Sequence, residues 1–159
     1  MLKQIQDRKE QWGGVNTIIN TWLDERQELI RLFFTLTKDK VNIDESESEF
    51  LIRLERFCEV LMDYLSAGHF EVFTELENEA RTFDSRGIQL VKALYPYLQQ
   101  STELALWFNE RFEKLRHSKE GIKEVHSELS YLGESLTDRF ELEDQLIEYV
   151  HNSSSVVPQ

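Results

Sequence analysis

Four histidines, one cysteine and thirty carboxylates are the chain's material for chemistry. Their spacing offers little to catalysis. A di-iron or di-manganese centre in a helical bundle needs two Glu-x-x-His motifs plus two further glutamates. Only Glu148 and His151 have that spacing, and they stand close to the end of the chain, so no metal and no cofactor is expected. A phosphotransfer histidine would sit exposed on a helix with a glycine shortly after it. "HSKEG" (117–121) offers His117, Lys119 and Gly121, but it reads as a turn between helices. A histidine phosphotransfer-type four-helix signalling module therefore stays as the alternative reading. Cys58 lies among Leu54, Phe57 and Leu61, where a lone thiol packs as a small hydrophobe. No glycine-rich phosphate loop occurs. No catalytic constellation results, and the expectation is a protein that is not an enzyme.

Two charges interrupt apolar seams. The first seam runs Val15, Ile19, Trp22, then Arg26, then Leu29, Phe33 and Leu36. Another runs Leu132, Leu136, Phe140, then Glu143, then Ile147 and Val150. A charge in a bundle seam is costly unless paired. The reading is an inward Arg26 paired with Glu143 or Asp63, in an internal polar network that also takes in His69. The competing reading places both charges at the seam's edge, reaching out to water. "DYLSAGHF" (63–70) poses a related question. Gly68 continues the apolar series 57, 61, 65, 68, 72, where a glycine marks close helix approach. Asp63 falls on a different strip, 52, 56, 59, 63, and is expected to be solvated or to meet a partner.

The elements that must position these residues are helices. Apolar residues recur at spacings of three, four and seven in four segments, and each such segment carries one apolar stripe. The second is Phe50, Leu54, Phe57, Leu61 and Leu65. The third is Ile88, Val91, Leu94 and Leu98, then Leu104, Trp107 or Phe108, and Leu115. The fourth begins Ile122, Val125, Leu129, Leu132. Breaks fall at 37–49, with Ser46 and Glu49 as a capping box, at 82–87, with Asp84 or Ser85 as cap, and at 116–121. Pro96 is expected to kink or split the third helix. "QWGGV" (11–15) breaks off a short leading helix. The fold class is all-α: an antiparallel four-helix bundle with a short extra N-terminal helix, a single domain over 1–151 and a flexible tail over 152–159.

Composition sets the surroundings. The net charge is -12 in 159 residues. Residues 59–84 hold seven acids against Arg81, and residues 120–148 hold nine against Lys123 and Arg139. Direct nucleic-acid binding is disfavoured, because phosphates need clustered Lys and Arg. An acidic face suits a basic partner or simple solubility. One cysteine forms no internal disulfide and fits a reducing compartment. No long apolar run would span a membrane, and "MLKQIQDRKEQ" lacks an apolar signal core. A cytoplasmic protein is expected.

"DYLSAGHF", together with "WLDER" (22–26) and "RFELEDQLI" (139–147), resembles the Rsd/AlgQ family of bacterial anti-sigma factors, regulators of sigma D. The likeness covers nearly the whole chain. "ERQELI" (25–30) and "QWGGV" are closer to the AlgQ side, and "NIDESESEF" (42–50) departs from the family pattern. The resemblance implies a four-helix bundle that binds region 4 of the housekeeping sigma factor. It would thereby block promoter and core polymerase engagement and free core polymerase for alternative sigma factors in stationary phase. It further implies a partner-binding edge at Asp63, Ser66, Phe70 and Glu71, and a link to a sugar phosphotransfer-system carrier protein.

Overall fold

A computed structural model describes residues 17–37, 43–74 and 85–156. Among them run four α-helices: α1 (Thr17–Thr37), α2 (Ile43–Ala67), α3 (Ser85–Leu115) and α4 (Lys119–Val156). A π-helical turn, Gly68–Val72, extends α2, and the Phe73 N–H donates to the Gly68 carbonyl. The expected leading helix and "QWGGV" lie outside the described residues.

Cross-helix contacts give the topology. Trp22 meets Tyr64 while Arg53 reaches the Thr35 carbonyl, so α1 and α2 run antiparallel. Arg111 meets Glu128 while Arg139 meets Leu98, so α3 and α4 do too. Glu55 with Arg116 and His69 with Tyr95 set α2 against α3 in the same sense. Arg26 with Glu143 and Phe33 with Gly133 do so for α1 and α4. Every lateral neighbour is thus antiparallel, in the cyclic order α1, α2, α3, α4, an up-down-up-down bundle. The face between α1 and α4 lies opposite the face between α2 and α3.

The apolar stripes build the core. Ile19, Trp22, Leu29 and Leu36 of α1 pack with Phe50, Leu54, Phe57 and Leu61 of α2, all buried. On α4 the buried series runs Ile122, Val125, Leu129, Leu132, Leu136, Phe140 and Ile147. On α3 the stripe takes Phe108, not Trp107, which stays half-exposed with the Arg111 guanidinium 5.0 Å over its ring. Each deeply buried Leu, Ile or Phe contributes on the order of 2 kcal/mol.

Several local expectations need correction. Helix α2 begins at Ile43, so Ser46 stands within its first turn and is not its N-cap. Helix α3 is not split at Pro96 but runs on through it. Pro96 and its neighbours Tyr95 and Tyr97 face solvent, where water can satisfy the Lys92 carbonyl that the imino acid leaves without a donor. Helix α4 runs to Val156, so 152–156 continues the helix where a tail was expected. Extending an existing helix by a turn costs little once it is nucleated.

The turn joining α3 to α4 has clear causes. Ser118 Oγ accepts the Gly121 N–H at 3.0 Å, a serine N-cap, and the Ile122 N–H reaches the Ser118 carbonyl at 3.0 Å. A Cβ on Gly121 would sit 2.0 Å from the Leu115 carbonyl oxygen. Only glycine lets α4 start so close to the end of α3.

Candidate functional site

One polar network crosses the core at the end of the bundle that carries "DYLSAGHF". Arg26 leaves the α1 stripe between two aromatic rings, its guanidinium carbon 5.3 Å from the Trp22 ring centre and 5.0 Å from that of Phe140. Its Nε donates to Tyr64 Oη at 3.0 Å, its Nη2 to Glu143 Oε1 at 3.1 Å and its Nη1 to Asp144 Oδ1 at 2.5 Å. Tyr64 Oη in turn donates to Glu143 Oε1. From the other side Arg139 Nε donates to Glu143 Oε2 at 2.9 Å. Arg139 Nη1 faces the Leu98 carbonyl at 2.9 Å, Ser101 Oγ at 2.8 Å and Thr102 Oγ1 at 2.7 Å. All four helices contribute.

The charges balance: two arginines against two carboxylates. Arg26, Tyr64, Arg139 and Glu143 are fully buried, while the Asp144 side chain keeps 16% of its surface exposed. Burial holds the Tyr64 phenol well above its ordinary value, and Glu143 beside it acts the same way against the opposing pull of Arg26 and Arg139. Tyr64 therefore stays protonated and keeps its donor role. Burial acts against the Arg26 charge, but Tyr64, Glu143 and Asp144 outweigh it and hold the proton more tightly than usual. The arrangement offers no free nucleophile and no proton to transfer. It fixes the relative positions of the helices, since breaking one member strands a buried charge.

Arg26 and Glu143 thus meet directly. Asp63, the other expected partner of Arg26, is exposed. The strip 52, 56, 59, 63 faces solvent throughout, and the residue one position on, Tyr64, points inward. His69 is also exposed, its ring 6.3 Å from that of Tyr95, and is no part of the network described above. The network members that sequence reasoning missed are Tyr64, Ser101, Thr102, Arg139 and Asp144. Arg139 had one signal, its position four residues before Glu143 on the same helix. Gly68 is packed beneath Trp22: a Cβ there would lie 3.2 Å from the indole Nε1, which donates to the Tyr64 carbonyl at 3.1 Å.

Outside the network, Asp63 and Ser66 stand exposed on the last turns of α2. Beside them a groove of about 430 Å³ opens between α2 and α3, walled by Met62, Leu65, Phe73 and Leu106. Ser66 and His69 stand on its α2 edge, and Arg139 and Thr102 of the network reach it from within. The side chains of Phe70 and Glu71 lie outside the described residues.

The remaining candidates fall as follows. Cys58 is buried, and burial first, with Glu113 second, pushes its thiol up to about 12, so it carries no thiolate at neutral pH. His117 is exposed in the turn between α3 and α4. The side chain of His151 lies outside the described residues. Among the described residues no three His, Cys, Asp or Glu cluster as a metal site would require, and no helix is long and apolar enough to cross a membrane.

Known proteins resemble this chain along nearly its full length. The family model "Regulator of RNA polymerase sigma(70) subunit, Rsd/AlgQ" matches residues 1–151. A regulator of sigma D from Yersinia pseudotuberculosis serotype O:1b is 31% identical over 153 residues, 96% of this chain and 90% of its own. One from Yersinia enterocolitica is 31% identical over 153 residues, covering 96% and 92%. One from Pectobacterium carotovorum is 32% identical over 153 residues, covering 96% and 100%.

Proposed function

Because the chain belongs to the Rsd/AlgQ family of regulators of the RNA polymerase sigma(70) subunit, we propose that its target is region 4 of the housekeeping sigma factor. The rim that carries Asp63 and Ser66 and the α2–α3 groove beside it hold that domain. A family of sigma regulators is one of binding proteins, not of enzymes. The observation that carries the reading is an exposed Asp63 one turn from Ser66, which lines the α2–α3 groove, on helices braced from inside by the Arg26–Tyr64–Glu143–Arg139 network.

The mechanism is competition without chemistry. A DNA-reading helix-turn-helix must be basic to meet phosphates. A protein of net charge -12 repels DNA and attracts such a surface. Once seated, it covers the residues that promoter DNA and core polymerase would use. Sigma held in this way leaves core polymerase to alternative sigma factors in stationary phase, in the cytoplasm where polymerase works. Phe70 and Glu71 are further candidates for sigma contact, and a sugar phosphotransfer-system carrier protein is a second partner for the same assay.

Titration calorimetry of the full chain against isolated sigma region 4 tests the reading. Heat of binding is expected at low salt and micromolar concentration, and its absence there would sink the proposal. Asp63→Ala should melt like wild type and lose about 2 kcal/mol or more of binding if it meets a buried basic group. An early melt would instead place Asp63 among the residues that hold the fold.

A further inference from the structure

Helix α4 presents a second acidic feature, on the far side of the bundle from the α2–α3 groove. Glu134 and Asp138 stand one turn apart and exposed. Like charges at that spacing repel along a helix. Neither is paired with a described cation, whereas Glu124 and Glu128 are tied to Arg111, and Glu143 and Asp144 to Arg26. Immediately beside this ridge a groove of about 540 Å³ runs between α1 and α4, lined by Leu29, Ile30, Phe33 and Phe34, and bordered by both carboxylates. Phe34 is 48% exposed at its edge. Gly133 lies within the groove and has no Cβ; one built there would be 2.4 Å from Phe33 Cζ, so glycine is what lets the tip of the Phe33 ring reach the α4 backbone.

We propose that this ridge and groove form a second docking surface, which takes an amphipathic helix of a protein partner with Lys or Arg beside its apolar stripe. The apolar stripe fills the groove, in the helix-in-groove mode of recognition. The basic residues neutralise two carboxylates that otherwise repel each other. The acidity excludes nucleic acid and other anions. A small apolar ligand would fill the groove but leave the carboxylates as they are. Because the α1–α4 face lies opposite the α2–α3 face, both surfaces can be occupied at once.

The test uses the full chain and synthetic peptides about five helical turns long. One is an amphipathic Leu/Lys helix, one its Leu/Glu counterpart, and one a scrambled Leu/Lys sequence of the same composition. Fluorescence anisotropy measures affinity, and amide chemical shifts locate the site. The ordered Leu/Lys helix should bind most tightly and shift the amides of Phe34, Gly133 and Glu134. Phe34→Ser and the double variant Glu134→Gln/Asp138→Asn should each weaken it about tenfold, a loss near 1.4 kcal/mol. Asp63→Ala should leave this affinity unchanged, which separates the proposal from the sigma-binding edge. Equal binding of the scrambled peptide would reduce the effect to bulk acidity and overturn the proposal. Equal binding of the Leu/Glu helix would leave only an apolar pocket for small ligands and overturn it as well. So would shifts confined to the α2–α3 groove.

Discussion

Replacing Arg26 with alanine should be the most damaging single change in the bundle. Arg26 and Glu143 are both fully buried and 3.1 Å apart. Removing one member of such a pair costs about 3–5 kcal/mol, because the other charge stays behind in the core. Glu143 retains Arg139 Nε at 2.9 Å and the Tyr64 hydroxyl, and Asp144 can turn toward water. Those remaining partners place the electrostatic loss near the lower bound, about 3 kcal/mol. The guanidinium also fills the space between the Trp22 and Phe140 rings, and losing that contact adds roughly 1 kcal/mol. At about 2–4 °C per kcal/mol for a domain of this size, Tm should fall by roughly 10 °C. Thermal unfolding followed by circular dichroism measures this, and the loss should persist at high salt, since buried pairs are screened little. Arg26→Met/Glu143→Gln should lose at least about 1 kcal/mol less than the sum of its single variants. A Tm within about 2 °C of wild type for Arg26→Ala would refute the reasoning, as would strict additivity in the double variant.

Three further outcomes are expected. Gly68→Leu should destabilise the fold by about 1–3 kcal/mol, because the added methyl groups must displace the Trp22 indole, while Gly68→Ala, with a Cβ contact of 3.2 Å, should change it far less; urea unfolding of both decides. Cys58 should resist alkylation in the folded protein at pH 8. Its folded pKa, about 12, lies above the unfolded value, so its contribution is fully present below about pH 9 and is lost as pH rises toward 12; Tyr64, likewise raised, adds to alkaline instability in wild type and not in Tyr64→Phe. For sigma region 4, the on-rate measured by stopped flow should fall with salt more than the off-rate rises, and a salt-independent on-rate would move the contact to the apolar wall of the groove.

Helix positions and their inner faces are written in the sequence, because the 3.6-residue period of each segment is local. Leu54, Phe57 and Leu61, or Leu129, Leu132 and Leu136, face the core for that reason alone. The break of each seam by a charge was equally visible, and the cost of leaving a charge alone in a core narrowed the partner of an inward Arg26 to Glu143 or Asp63; the structure selects Glu143. Membership in a family of sigma regulators was legible too, in three separated motifs. Local signals misjudged Ser46 as a cap and left open a split at Pro96, where a longer helix and a solvent-facing proline keep the helices unbroken.

The rest of the network needed the tertiary structure. Successive residues of a helix stand about 100° apart, so Tyr64 beside Leu65, and Arg139 beside Phe140, stand near the edge of an apolar stripe, and the sequence does not say whether they turn inward. That choice depends on what the neighbouring helix presents at the same height. Arg139 turns inward because α3 offers Ser101, Thr102 and the Leu98 carbonyl there. Tyr64 turns inward because Arg26 of α1 and Glu143 of α4 arrive at its level. Lateral register between helices is a property of the packed bundle, and the partner of a buried polar group is settled only when that register is set.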